Sequence, residues 1–303
     1  MKTLRILIGL LAGLVVAAAL ALVVVYVVTN RHLNKTYSVE VPHVVTSDDS
    51  VTLARGHHVA EIRGCTQCHD PDLGGRVVID AMPLLGRIMS ANLTSGRNGV
   101  AARYKSDEDW VRAIRDGVRP DGKPLVFMPS YEYRSIGPED LGALVSYLKS
   151  AKPVASPPLK ETIGPLARVL YLLGRFPLIP AEMIDHTDRT FTEPQPGETV
   201  AYGRYLASPC AGCHGRHFSG GKVPGTPPGW PLATNLTPDS VTGLGSWDYA
   251  EFASFFDTGR TPDGRQVDPQ VMPWPVVRSM TDSERRALWA FLRSLPPLPK
   301  GSG

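Results

Sequence analysis

The sequence predicts a helical protein built as two copies of one domain behind an N-terminal membrane-spanning helix. Three observations support this reading. Ile6 to Val28 is an apolar run without a charge. Short landmarks recur in the same order at a nearly constant offset: Cys65-Thr66-Gln67-Cys68-His69 and Cys210-Ala211-Gly212-Cys213-His214, Ala91-Asn92-Leu93-Thr94 and Thr234-Asn235-Leu236-Thr237, Pro120-Asp121-Gly122 and Pro262-Asp263-Gly264, Met128-Pro129 and Met272-Pro273, Tyr147-Leu148-Lys149-Ser150 and Phe291-Leu292-Arg293-Ser294. Between these landmarks apolar residues fall at helical spacing, and no βαβ alternation is found. The offset is too long for a solenoid repeat and fits a duplicated domain of about 100 residues with a connector between the copies.

Bulk composition agrees. A chain of 303 residues suits about two domains, and 43% hydrophobic content is near the globular average. The 28 prolines exceed the usual share of about 5%, which calls for many irregular connections. A net charge of +3 without a basic stripe argues against a nucleic-acid partner.

Residues 1–30 are expected to form a transmembrane anchor, because about 20 apolar residues span a bilayer as a helix. The rival reading is a secretory signal cut near Ala17-Ala18-Ala19, whose apolar region would be only about 7–15 residues. Cutting there would leave Leu20 to Val28 as an apolar mature end, so the expectation is an uncleaved anchor. Residues 31–47 read as a polar spacer. The first domain is placed at 48–152. Ser50 to Arg63 carries a helical pattern with Leu53, Val59 and Ile62. Ser106 caps a second helix, with Asp109 three residues on, Trp110, Val111 and Ile114 on its buried face and Gly117 as its stop. Pro138 to Ser150 is a third, with Leu141, Leu144, Val145 and Leu148 inward.

The connector, 153–196, contains a short apolar helix from Leu166 to Phe176. It either packs on the domains, which is the preferred expectation, or lies on a membrane or partner subunit. The second domain, 197–300, repeats the pattern. Ser246 to Thr258 is its middle helix, with Tyr249, Phe252 and Phe255 or Phe256 inward and Gly259 as the stop. Thr281 to Leu295 is its last, with Thr281 and Glu284 as a capping box.

The two pentapeptides use all four cysteines. A four-cysteine zinc site needs its C-x-x-C pairs to meet, usually about 15–20 residues apart. A thioredoxin-like pair belongs near a βαβ pattern. A structural disulfide suits an exported chain. Zinc and disulfide both leave His69 and His214 unexplained. Covalent haem explains all of it: C-x-x-C-H lets two thiols, Cys65 with Cys68 and Cys210 with Cys213, bond the porphyrin while the next histidine reaches the iron. Two covalently attached haem c groups are therefore expected.

Each iron then needs a sixth ligand or an open site. Met128 follows Cys65 at almost the distance by which Met272 follows Cys210. Each precedes a proline that stiffens the presenting loop, and a thioether raises the potential of haem iron. Met82, Met89, Met183 and Met280 have no counterpart in the other copy and read as core filler. His32, His43, His57, His58, His186 and His217 are not expected as ligands. His57 and His58 should face solvent or another helix.

The order Asn-Leu-Thr, acidic and aromatic helix start, Asp-Gly, Met-Pro and Tyr/Phe-Leu-Lys/Arg-Ser resembles the class I cytochrome c domains in cytochrome subunits of membrane-bound bacterial alcohol, gluconate and sorbitol or aldehyde dehydrogenases. Asn235-Leu236-Thr237-Pro238-Asp239 with Thr242-Gly243-Leu244-Gly245-Ser246-Trp247 is the closest stretch. The resemblance implies an all-α fold for each domain, with first and last helices crossing near Gly56 and Tyr147 and near Gly203 and Phe291. Asn92 and Asn235 are then either hydrogen-bonded near a haem propionate or the methionine loop, or turn residues.

It also implies that the haem domains lie on the periplasmic side of the cytoplasmic membrane, since haem of this class is attached there. The functional expectation is a single-pass, membrane-anchored dihaem electron carrier, not an enzyme, working between a periplasmic or membrane dehydrogenase or respiratory donor and a downstream acceptor. The alternatives are a dihaem subunit of a cbb3-type haem–copper oxidase and a dihaem peroxidase. Two matched methionines argue against the peroxidase.

Overall fold

A computed structural model of the chain describes residues 2–158, 160–188, 190–226 and 229–302. Helix α1 runs from Lys2 to Leu33 and buries only Thr29. It outlasts the apolar run by a turn, and Arg31 in its last turn is a cation that suits the negative end of a helix dipole. Residues 34–49 are extended and packed along the first copy. Tyr37 N–H donates to the Gly122 carbonyl (2.8 Å), Ser47 N–H donates to Ser146 Oγ (3.0 Å), and Val44 is buried in the first core. The segment expected as a polar spacer is thus a fitted strap.

In the first copy, α2 (Ser50–Ile62) is capped by Asp49, which accepts from the N–H groups of Val51 and Thr52. Then come α3 (Cys65–His69), strands β1 (Val77–Ala81) and β2 (Gly86–Met89), α4 (Asp107–Asp116), α5 (Ser130–Tyr133) and α6 (Pro138–Ser150). The connector holds β3 (Thr162–Ile163) and α7 (Pro165–Leu172). The second copy holds α8 (Val200–Leu206), α9 (Ala211–His214), α10 (Tyr249–Thr258), α11 (Trp274–Arg278) and α12 (Asp282–Arg293).

Helix ends follow their capping chemistry. The Ser106–Asp109 and Thr281–Glu284 boxes form as expected. Asp248 with Glu251 makes a third box, so α10 starts at Tyr249 rather than Ser246. Gly117 and Gly259 close α4 and α10 in the left-handed region, φ 64° and 68°. Helix α7 stops before the expected Phe176, because Gly174 turns the chain at φ 66°.

In each copy the first helix crosses the last at a glycine. A Cβ on Gly56 would stand 2.0 Å from the Ala143 carbonyl oxygen and 2.7 Å from Tyr147 Cβ. On Gly203 it would stand 1.9 Å from the Ala287 oxygen and 2.8 Å from Phe291 Cβ. Beneath α2 and α6 lies a core of Trp110, Val111, Ile114, Leu141, Leu144 and Leu148. Beneath α8 and α12 lies another, of Phe252, Phe256, Leu288, Phe291 and Leu292.

The all-α expectation needs one correction. The first copy carries a small antiparallel sheet in the order β1-β2-β3, where loops were expected. The run Val77-Val78-Ile79 is β-branched, which favours extended backbone. Gly86 sits at φ 101° with no room for a side chain against the Thr162 carbonyl, so β3 can close on β2. Among the described residues, the corresponding stretch of the second copy makes only the bridge Gly221–Ala233.

Candidate haem-attachment sites and the junction between them

The two pentapeptides fold alike, down to individual hydrogen bonds. His69 and His214 are buried, and their Nδ1 atoms lie 2.7 Å from the carbonyls of Ala91 and Thr234. A carbonyl only accepts, so Nδ1 carries the proton and Nε2 keeps its lone pair for a metal. Burial pushes both pKa values down, against the opposing pull of those carbonyls, and so favours the neutral ring. Gly75 N–H donates to the His69 carbonyl and Gly220 N–H to that of His214, both at 2.9 Å. Leu93 N–H reaches the Leu73 carbonyl, and Leu236 N–H that of Phe218, both at 2.8 Å. Leu73 and Phe218 share a positive φ, 61° and 58°. The positions were legible from the repeat; this bonding was not.

All four cysteines are free thiols, which leaves the disulfide reading without support. Among the described residues no three His, Cys, Asp or Glu side chains gather as a metal cluster, so the cysteines do not converge on zinc. Burial pushes the Cys65 thiol up to about 12 and that of Cys210 to about 11. A pair of thiols beside a neutral histidine with a free Nε2, twice over, is the donor set that covalent haem requires.

Met128 and Met272 also occupy equivalent turns. Pro129 has φ −78° and ψ 60°, and Pro273 has φ −75° and ψ 55°. Ser130 N–H donates to the Met128 carbonyl at 2.8 Å, and Trp274 N–H to that of Met272 at 2.7 Å. Both are inverse γ-turns. Each methionine packs against its own copy's core. The anchoring differs. The first turn is held by its own copy through Ser130 Oγ–H to Ala113 O (3.0 Å) and also by the connector, Phe127, at φ 63°, donating its N–H to the Leu178 carbonyl at 2.9 Å. The second turn is held by its own copy, through Met272 N–H to Asp268 O (3.0 Å) and Trp274 Nε1–H to Val267 O (3.1 Å).

The other candidates are engaged elsewhere. His58 meets Glu284 at 2.8 Å, His57 lies tilted against Tyr147 with ring centroids 5.1 Å apart, and His186 touches Asp116 and Ala181. Met280 is buried filler in the second core, while Met82 and Met183 are exposed. Asn92 and Asn235 are turn residues. Each side-chain oxygen accepts the N–H and hydroxyl of Thr94 or Thr237, while Nδ2 donates to Val154 O (2.6 Å) or Leu298 O (2.7 Å). They tie the loop after the haem motif to the chain beyond the last helix.

Sequence reasoning missed the junction between the copies. Arg63 and Ser208 each stand two residues before the first cysteine of their motif. They meet, Arg63 Nη1 donating to Ser208 Oγ at 2.9 Å, with the buried guanidinium 4.6 Å above the Tyr205 ring. Tyr205 in turn donates its hydroxyl to Asp140 at 2.6 Å. Helix α5 packs on the turn before Cys210, and α11 packs on α2 before Cys65. Helix α5 thus reaches both motifs. Tyr133 lies within electrostatic reach of Cys65 and Cys68, and Tyr131 of Cys213. Burial lifts Glu132 beside Gly212 to about 7. The equivalence of positions 63 and 208 was the available signal, but a lone arginine before a motif looks like any surface charge.

A family model for cytochrome c matches residues 53–152 and 200–296. The chain is 30% identical to the cytochrome c subunit of a quinone alcohol dehydrogenase from Gluconacetobacter polyoxogenes, over 84% of this chain and 58% of that one. It is 26% identical to a fructose dehydrogenase cytochrome subunit from Gluconobacter japonicus, over 81% and 53%. A diheme cytochrome c-type from Cereibacter sphaeroides is 25% identical over 81% of this chain and 86% of its own. The chain therefore spans a little over half the length of the dehydrogenase subunits it matches.

Proposed function

This chain belongs to the cytochrome c family, and from that premise we propose that it is a membrane-anchored dihaem electron carrier serving a dehydrogenase. The observation that carries the proposal is the matched pair of sites, each with a neutral buried histidine and a Met-Pro γ-turn in its own copy. Haem c is the family's cofactor, and two motifs provide for two of them, on Cys65 with Cys68 and on Cys210 with Cys213. When bound, each haem supplies a one-electron ferric–ferrous couple.

The protein's part is to hold that couple without offering it a substrate. His69 and His214, oriented by the Ala91 and Thr234 carbonyls, would offer Nε2 as the fifth ligand. Met128 and Met272 would supply the sixth, which would leave neither site open and raise both potentials. Arg63, Tyr205 and α5 keep the two attachment edges adjacent, so haems bound there would exchange electrons directly. The working units are 48–152 and 197–300, with 153–196 as connector. Helix α1 is the single-pass anchor, with 1–30 at its membrane level and the haem units on the periplasmic side. The relatives' names make an alcohol or fructose dehydrogenase the expected donor complex.

Absorption spectroscopy during a redox titration tests the ligation. Two low-spin haems, both showing the long-wavelength band of Met–iron ligation, are expected; a high-spin haem at rest would overturn it. Co-purification from native membranes tests the partner, and recovery with an oxidase catalytic subunit instead of a dehydrogenase would favour the oxidase alternative.

A further inference from the structure

The connector helix does more than link the copies. Its inner face is seated on α1: Arg168 lies 4.3 Å over the Tyr26 ring and donates to Asn30 Oδ1 at 2.9 Å, and Tyr171 meets His32 at 2.7 Å. These contacts fall where the apolar run of α1 ends. The start of α7 is bonded to the tip of the β1–β2 hairpin, Leu166 N–H to the Leu84 carbonyl (3.0 Å) and Gly164 N–H to that of Leu85 (2.9 Å). Hairpin tip, connector helix and membrane helix therefore form one fixed unit.

Its outer surface is apolar. Met82, Leu84 and Leu166 are exposed around the hairpin tip, and Leu172 and Leu173 continue the exposure along α7, Leu173 at 66%. A contiguous apolar patch left in water marks an interaction surface. Arg31, Lys35 and Arg175 are exposed around it. Position and charge both identify what covers it. The patch is continuous with a helix that enters a bilayer, at the level where acyl chains give way to headgroups, and cations there attract anionic lipid.

We infer that the hairpin tip and connector helix form a second membrane contact, dipping Met82, Leu84, Leu166 and Leu173 into the outer leaflet beside α1. This rests on the reading of α1 as an uncleaved anchor. It adds that the haem units are held at one height and one orientation over the lipid, rather than swinging on a tether.

The test uses the full haem-loaded chain in vesicles of phosphatidylcholine with phosphatidylglycerol. Nitroxide labels are placed singly on Leu84→Cys and Leu173→Cys, with Leu14→Cys inside α1 and Val241→Cys, 87% exposed on the second copy, as references. The readout is the ratio of collision with oxygen, which concentrates in lipid, to collision with a water-soluble nickel chelate. Haem absorption checks that each variant is folded, and Met82→Cys replaces Leu84→Cys if that one is not. The expected ratios at 84 and 173 are several-fold above that at 241 and below that at 14, as labels at the headgroup boundary require. Ratios equal to that at 241 overturn the inference while leaving the anchor standing. So does a joint fall of both collision rates, which would mean that another protein surface covers the patch. A water-like ratio at 14 would sink the anchor reading and this inference with it.

Discussion

At the scale of single residues, the chemistry depends on which atom of a side chain is already spoken for. His69 and His214 spend Nδ1 on a backbone carbonyl, and this frees Nε2. In the proposed ligation the methionines are the complementary half. Replacing Met128 or Met272 by leucine should abolish one haem's share of the long-wavelength band and lower that haem's midpoint potential by on the order of 100 mV, read by spectroelectrochemistry. Asn235 serves stability instead. Asn235→Ala would strip partners from the Thr237 N–H and hydroxyl and from the Leu298 carbonyl. The expected cost is about 1–3 kcal/mol in chemical denaturation of the haem-loaded protein, with the potentials unchanged.

At the scale of elements, the two glycine crossings decide how close the first and last helices of each copy lie. Gly56→Ala or Gly203→Ala would drive a methyl into a helix carbonyl. Each should destabilise its copy by about 1–3 kcal/mol, seen as an earlier thermal loss of the haem absorption band. These crossings, the capping boxes and the glycine stops were legible because each rests on residues close in sequence or on the repeat itself. Thr281 with Glu284, Ser106 with Asp109, and Gly117 with Gly259 are local chemistry. The sheet was not legible, because its third strand is the two-residue Thr162–Ile163, and a pair so short has no periodicity to read. The junction was hidden for a related reason. Arg63 finds Tyr205 and Ser208 only after both copies have folded, so no window of sequence contains the contact.

At the scale of the whole molecule, the copies are also joined by His58 and Glu284, 2.8 Å apart across the junction. The bond to Glu284 lifts the His58 pKa against the opposing effect of burial, helped by the charges of Glu61 and Asp140. Burial alone would raise Glu284, but His58 and the Thr281 backbone outweigh it and hold the carboxyl low. The histidine's contribution is therefore complete below about 6.5 and fades as pH rises through its raised value. The carboxylate's contribution holds above about 4.3 and fails as pH falls through its lowered value. Docking of the copies should be firmest in mildly acidic solution. His58→Gln should flatten the alkaline side of that profile, as followed by the pH dependence of limited proteolysis at the junction.

The bond from Phe127 N–H to the Leu178 carbonyl bears on how the protein is made. With the haem units placed across the membrane, as proposed, Cys65, Cys68 and His69 would reach the far side well before residue 178. The first haem can then be joined while the turn that carries its methionine still lacks its clasp, whereas the second copy brings Asp268 and Val267 along with Met272. On the proposed ligation the first site's methionine turn gains its connector clasp only with residue 178, and a haem-loaded chain truncated before the connector should bind carbon monoxide at its first iron more readily than the full chain does.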